Sequence, residues 1–197
     1  MKFFEKLVAA LEALCAKLGK EVPENLLAAL RNFGIWAEKT APEVWAAFAT
    51  SPASTRWHGA YSGGLLEHSV ALCYYLFTRT LSGGARPEQT VFLSTEQVVE
   101  IGMFHDLCKV GLYHQTETGY AYNEGIVQHH ALRSLGMAED MLNEELPSWL
   151  RVSILLHMAG GFWNMEDEAA LTNADRDWLA ENLSTVSAVQ WADMKAC

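Results

Sequence analysis

Apolar residues recur at three- and four-residue spacing through much of the chain. Phe3, Phe4, Leu7, Val8, Leu11, Leu14, Cys15 and Leu18 fall on one helical face, which predicts an amphipathic helix over residues 3–18. After Gly19 a second helix is expected from Pro23 and a third after Ala41-Pro42, because proline fits a first helical turn and breaks a helix interior. These segments, residues 1–54, read as an N-terminal helical layer packed on the remainder, with Trp36 and Trp45 as anchors. Thr50 to Ser62, rich in Ser, Pro and Gly, predicts a loop carrying Trp57 and His58. Gly63-Gly64 then opens a helical run to about Leu81, and the pair reads as a tight helix entry rather than as a ligand contact.

Ser82 to Thr90 is a linker by composition. Ser94 followed by Glu96-Gln97 is a capping signature and predicts a helix to about Lys109, stopped by Gly111. Residues 112–122, LYHQTETGYAY, are aromatic and threonine-rich around Thr118-Gly119, so a short hairpin is expected there and no β structure elsewhere. Further helices are predicted over about 124–143, 147–159, 172–182 and 184–196, with Pro147 and Gly160-Gly161 as breaks. The fold class is all-α, with residues 55–197 as the main domain.

Half the 197 residues are apolar, enough for a sizeable core. Twenty-four Asp and Glu against 14 Lys and Arg give a net charge of −10, which disfavours nucleic acid and leaves small phosphorylated substrates as the expected partners. Divalent ions among the carboxylates would set up a local positive field within this acidic protein. The cysteines, Cys15, Cys73, Cys108 and Cys197, are widely spaced and read as reduced thiols. Glu5, Glu12 and Lys17 interrupt the apolar N-terminal run, so no signal peptide is read, and no stretch is long and apolar enough to span a bilayer. A cytoplasmic protein is expected.

His105 and Asp106 end the run VVEIGMFHDLCKVG, where Val98, Ile101 and Phe104 draw the dipeptide toward the core. A buried carboxylate without a cation is costly, so a metal or a positive side chain is expected beside it, and Lys109 lies one turn on from His105. His68 in GGLLEHSVAL, His130 in IVQHHALRSL and His157 in VSILLHMAGG share this apolar helical setting, and Asp193 follows Val186 and Val189 on an inward face. A lone histidine there is ordinarily a satisfied core residue; the joint pattern points to divalent metal, with imidazole and carboxylate suiting Mn, Fe, Co, Ni or Zn. The lack of cysteine ligands argues against a closed structural zinc.

With a histidine early in one helix, a later His-Asp pair and a late aspartate, residues 55–195 resemble the HD-domain metal-dependent phosphohydrolases. WHGAYSGGLLEHS looks like the entry segment of the bacterial and phage members, FHDLCKVG like their central motif, and HHALRSL and LLHMAGG like the histidine motifs of those that hold a second metal. The resemblance implies that His68, His105, Asp106 and Asp193 hold one ion, that His130 and His157 serve a second, and that Asp106 bridges. His130 is preferred to His129 because Arg133-Ser134 then fit the family register. One or two divalent ions (Mn, Fe, Co, Ni, Zn or Mg) would be the cofactors, and a metal-activated water would attack phosphorus. Lys109, Arg133 and His58 are candidates to hold the phosphate, His58 alternatively to protonate the leaving group. The plainer readings are an ion pair for Lys109, a solvated face for Arg133 and a helix-capping place for His58. His114 and His129 read as spectators, Trp191 as packing, and Trp163 with Phe162 as a rim above His157 or a core cover.

The function expected is hydrolysis of a small phosphomonoester or nucleotide. Cleavage of a phosphodiester, in a cyclic nucleotide or in single-stranded RNA, is a second reading, since the entry segment also looks like that of exoribonucleases with an HD domain, though no basic stripe interleaved with aromatics is evident. A non-catalytic module that binds metal and nucleotide is a third.

Overall fold

A computed structural model describes residues 1–82, 91–123, 129–158 and 165–197. Helix α1 (Phe3–Leu18) ends in a left-handed Gly19, and α2 (Glu24–Thr40) follows Pro23. Helix α3 (Pro42–Phe48) begins on proline, as its sequence predicts. The long α4 (Gly64–Ser82) packs against α5 (Thr95–Phe104), which opens on a Ser94/Gln97 capping box. A 3₁₀ turn (Leu107–Lys109) leads into the antiparallel hairpin β1 (Tyr113–Thr116) and β2 (Gly119–Tyr122), in the register Tyr113 to Tyr122 and Thr116 to Gly119. Then come α6 (His130–Leu142), α7 (Ser148–Leu155), the short α8 (Met165–Ala169), α9 (Asn173–Glu181) and α10 (Leu183–Ala196). Among the described residues the fold is all-α save for this hairpin.

One apolar core runs through the molecule. Leu7, Leu11, Leu26, Leu30, Trp45 and Phe48 of the first three helices are fully buried against Leu65, Leu72, Leu76 and Ile101 of α4 and α5. Burying each such side chain contributes about 1.5–3 kcal/mol. Trp45 anchors this layer through ring contacts with Phe3, Phe33, Phe48 and Phe104, while Trp36, at its edge, is half-buried.

Several boundaries differ from the sequence pattern, and the differences fall at the histidines. The helix expected to reach Lys109 stops at Phe104: Asp106 leaves helical geometry (φ −116°, ψ 21°) and Leu107 to Lys109 tighten into 3₁₀. Lys109 is consequently paired with Asp106 rather than stacked on His105. The helix expected over 147–159 ends at Leu155, which leaves His157 beyond it. His130 is the first residue of α6, so it sits at a helix end rather than within one; residues 124–128 of that expected helix lie outside the described residues. So do most of the 82–90 linker, Gly160-Gly161, Phe162 and Trp163. The sequence pattern predicts no helix at α8, because five residues are too few to show a period.

Candidate metal centre

Two close backbone approaches place the first histidines. Gly102 of α5 lies against α4, where a β-carbon would stand 2.2 Å from Cys73 Sγ and 3.1 Å from the Ser69 carbonyl oxygen. Glycine alone lets the helices approach this far, and the approach brings His68 Nε2 of α4 to 3.2 Å from His105 Nε2 at the end of α5. At the start of α4, a β-carbon on Gly64 would stand 2.0 Å from the Gly59 carbonyl oxygen. The Gly63-Gly64 pair therefore serves as the tight helix entry expected of it. The loop so folded is tied by Ala53 N–H to the Gly59 carbonyl and sets the His58 ring 4.8 Å from that of His68.

His68, His105 and Asp193 form one group. Asp193 Oδ1 lies 3.0 Å from His68 Nε2 and 3.7 Å from His105 Nε2, and Asp106 Oδ2 lies 3.6 and 3.2 Å from the same two nitrogens. Asp106, His130 and His157 form a second: His130 Nε2 is 3.2 Å from His157 Nε2, which is 3.8 Å from Asp106 Oδ1. His68, His105, Asp106, His157 and Asp193 are all buried and His130 is half-buried. All six expected ligands thus come together, with Asp106 between the groups. His129, the residue before α6, belongs to neither group, and His114 is exposed and bonded to Asn123.

The second histidine group is held by contacts outside it. The Ser134 hydroxyl accepts from Cys108 N–H at 3.1 Å, locking α6 onto the turn that follows Asp106. Gln190 of α10 donates to the Leu156 and Met158 carbonyls at 2.8 and 3.4 Å, bracketing His157. His105 and His157 each direct Nδ1–H at a carbonyl, of Gly102 at 2.9 Å and of Ile154 at 2.6 Å. The geometry assigns the proton to Nδ1 and leaves each Nε2 lone pair facing inward, the orientation of a metal-ligating histidine.

The donor set fits a cation. Two ligands about 2.1 Å from one ion, at tetrahedral or octahedral angles, stand about 3.0–3.4 Å apart. Within the two groups the closest pairs fall at 3.0 and 3.2 Å, and the longer ones need only small side-chain movements. Asp106 Oδ1 is buried with no hydrogen-bond partner, a costly state that a cation relieves.

Lys109, whose Nζ lies 2.5 Å from Asp106 Oδ2, offsets part of the charge of the two carboxylates. Burial opposes the charge on Asp106, yet Lys109, His105 and His157 hold its carboxyl well below the ordinary value. Burial likewise works against Asp193, but the His68 hydrogen bond and the neighbouring imidazoles hold it at about 2. Desolvation and the surrounding positive groups push His58 and His157 down to about 4, and burial lowers His130. His105 runs the other way: burial disfavours its charge, and the adjoining Asp106 and Asp193 raise it nonetheless.

A cavity of about 300 Å³ opens above the two groups. Its polar side carries His58, Lys109 and half-buried Arg133, the three residues expected to meet a phosphate. Its apolar wall is Leu112, Met158 and the tilted ring pair Tyr113 and Tyr122, centroids 5.1 Å apart. Gln190 and Cys197, whose Sγ lies 3.5 Å from His58 Nε2, had no local signal in the sequence, and the two tyrosines showed only as part of the expected hairpin. A larger cavity of about 460 Å³ beside Phe33, Trp36 and Phe104 holds no histidine, so converging donors rather than volume mark the site.

No protein-family model, curated protein or solved structure matches this chain. Buried histidine and aspartate groups that could hold a metal ion are what the molecule itself offers. No described helix is long and apolar enough to cross a membrane.

Proposed function

We propose that this protein is a metal-dependent phosphohydrolase of the HD-domain type, acting on a small phosphomonoester or mononucleotide. The observation that carries the reading is the meeting of two cation-sized donor groups at one buried carboxylate, Asp106, beneath a cavity with a cationic side. Divalent ions held there would supply an acidified water at neutral pH and neutralise phosphate charge. His68, His105, Asp106 and Asp193 would hold one ion and His130 with His157 the other, Asp106 being shared.

The chain's own residues divide the remaining work. Arg133 faces the cavity and presents a planar donor fork suited to phosphate oxygens. Lys109 is committed to Asp106, so it fixes the bridging carboxylate and adds its charge to the polar side of the cavity. Burial, His68 and Lys109 push His58 down to about 4, which favours an uncharged ring that hydrogen-bonds the phosphate over one that protonates the leaving group. A cavity of about 300 Å³ stands at the small end of ligand sites and favours a single nucleotide over an extended strand. The Tyr113 and Tyr122 rings offer a flat apolar wall to the ester's organic part.

The test is a metal-supplemented screen of phosphomonoesters, nucleotides and short single-stranded RNA, with elemental analysis of the same preparation. Inorganic phosphate should appear only with a divalent ion and disappear in Asp106→Ala. Tight metal binding without turnover across the whole panel would overturn the enzymatic reading and leave a binding module.

A further inference from the structure

Cys197 caps α10, one turn beyond Asp193, and its thiol is exposed at the mouth of the metal cavity. Its Sγ lies 3.5 Å from His58 Nε2 and donates at 3.4 Å to the Asp193 carbonyl. One ligand atom from each of His58, His68 and Cys197 lies within 4.8 Å of the others. These are also the residues common to two cavities, that of the metal centre and a neighbour of about 330 Å³ bordered by Ala10, Leu14, Tyr61 and Glu67. They form the wall between two open spaces, so an ion can reach them without passing the inner groups.

We propose that His58, His68 and Cys197 form a third cation site, softer than the two inner ones, which takes zinc or cobalt at the cavity mouth. Two imidazoles and a thiolate suit these ions, whereas the carboxylate-bearing inner groups also suit harder ones. Three protein ligands leave a fourth position for water. His68 has a nitrogen to spare: Nε2 faces Asp193 and His105, while Nδ1 is buried with no hydrogen-bond partner, unlike Nδ1 of His105 and His157. When the ion binds, the Cys197 S–H contact with the Asp193 carbonyl is given up, the thiol proton and the His68 Nδ1 proton both leave to solvent, and the sulfur becomes a ligand while His68 bridges to the inner group as an imidazolate. His58 is then held in the wall and withdrawn from the cavity, so excess soft metal blocks the site.

Cobalt titration of the metal-stripped protein reads the sulfur directly. A thiolate-to-cobalt absorption band should appear in the near ultraviolet, together with about one more ion per chain than Cys197→Ser binds. The band should vanish in Cys197→Ser and persist in Cys108→Ser, since Cys108 also lines the cavity. No band in the wild type, or a band that survives Cys197→Ser, overturns the proposal. If turnover is found, zinc inhibition should weaken at least about tenfold in Cys197→Ser. The spectral result stands or falls separately from the hydrolase reading.

Discussion

Replacing Gly102 with alanine tests whether helix packing sets the spacing of the first ligand group. The added methyl carbon would stand 2.2 Å from Cys73 Sγ, where contact needs about 3.5–4.0 Å, so the buried thiol must turn aside or α4 and α5 must move apart. The Ser69 backbone carbonyl, 3.1 Å from the same methyl, can give way only if the helix backbone shifts by a few tenths of an ångström. Overpacking of this kind costs about 3 kcal/mol, and the better helix propensity of alanine returns about 1 kcal/mol, for a net loss of about 2 kcal/mol. In a chain of this size that lowers the melting temperature by about 4–8 °C. The same separation opens the 3.2 Å gap between His68 and His105, so affinity for the ion at that group should fall about tenfold or more, while the His130 and His157 group keeps its own spacing. Thermal denaturation by circular dichroism and metal titration with elemental analysis read the two effects. Removing the thiol as well, in Gly102→Ala/Cys73→Ala, gives the methyl the vacated space and should recover about 1–2 kcal/mol relative to additivity. Wild-type stability and metal content in Gly102→Ala, or no recovery in the double variant, would refute the reasoning.

Three further outcomes are expected. His130→Ala or His157→Ala should lose about one ion per chain and Asp106→Ala both; unchanged metal content in the histidine variants would reduce the centre to a single ion. In chelator-treated protein, buried His157 takes up its proton near pH 4 when folded but near 6.5 when unfolded, so its contribution, about 3 kcal/mol, is complete above about 6.5 and drains away as the pH falls toward 4. The raised His105 acts oppositely, its contribution being lost as the pH rises through its folded value; urea melts of His157→Gln should accordingly show a flatter profile between pH 6.5 and 4 than the wild type, and identical profiles would dismiss the His157 assignment. Asp175, buried in the first turn of α9, accepts from Arg151 Nε at 3.1 Å, and Glu139 also pairs with that guanidinium. Asp175→Asn should cost about 3 kcal/mol in denaturant melts, and a loss below about 1 kcal/mol would mean the pair is well solvated.

The helices were legible wherever an apolar face persisted for several turns. Punctuation told more than period at the ends: Pro42, the Ser94 capping box and Gly19 all do what their chemistry suggests. The pattern misled at Asp106. Leu107 and Cys108 are buried in the 3₁₀ turn, so the apolar period runs on after the α-helix has stopped, and the dihedral break that turns Asp106 toward both ligand groups leaves no trace in it. All six expected ligand residues were visible as histidine or aspartate in apolar company, and their convergence within two groups is what the fold adds. Gln190, Cys197 and the two tyrosines could not be found this way, because each matters through residues far along the chain.

The hairpin has a consequence for how anything enters the cavity. Among the described residues its two short strands pair only with each other, and its base is tied by Asn123 contacts to the Gly111 and Leu112 carbonyls. A two-stranded ribbon of this length is marginal by itself. Its amide protons should therefore exchange with solvent long before those of α4 and α5, whose bonds break only with the whole fold. On the proposed hydrolase reading, the floor of the cavity and its aromatic wall would then belong to different cooperative units, and an ester would pass as the wall lifts while the six proposed ligand side chains keep their places.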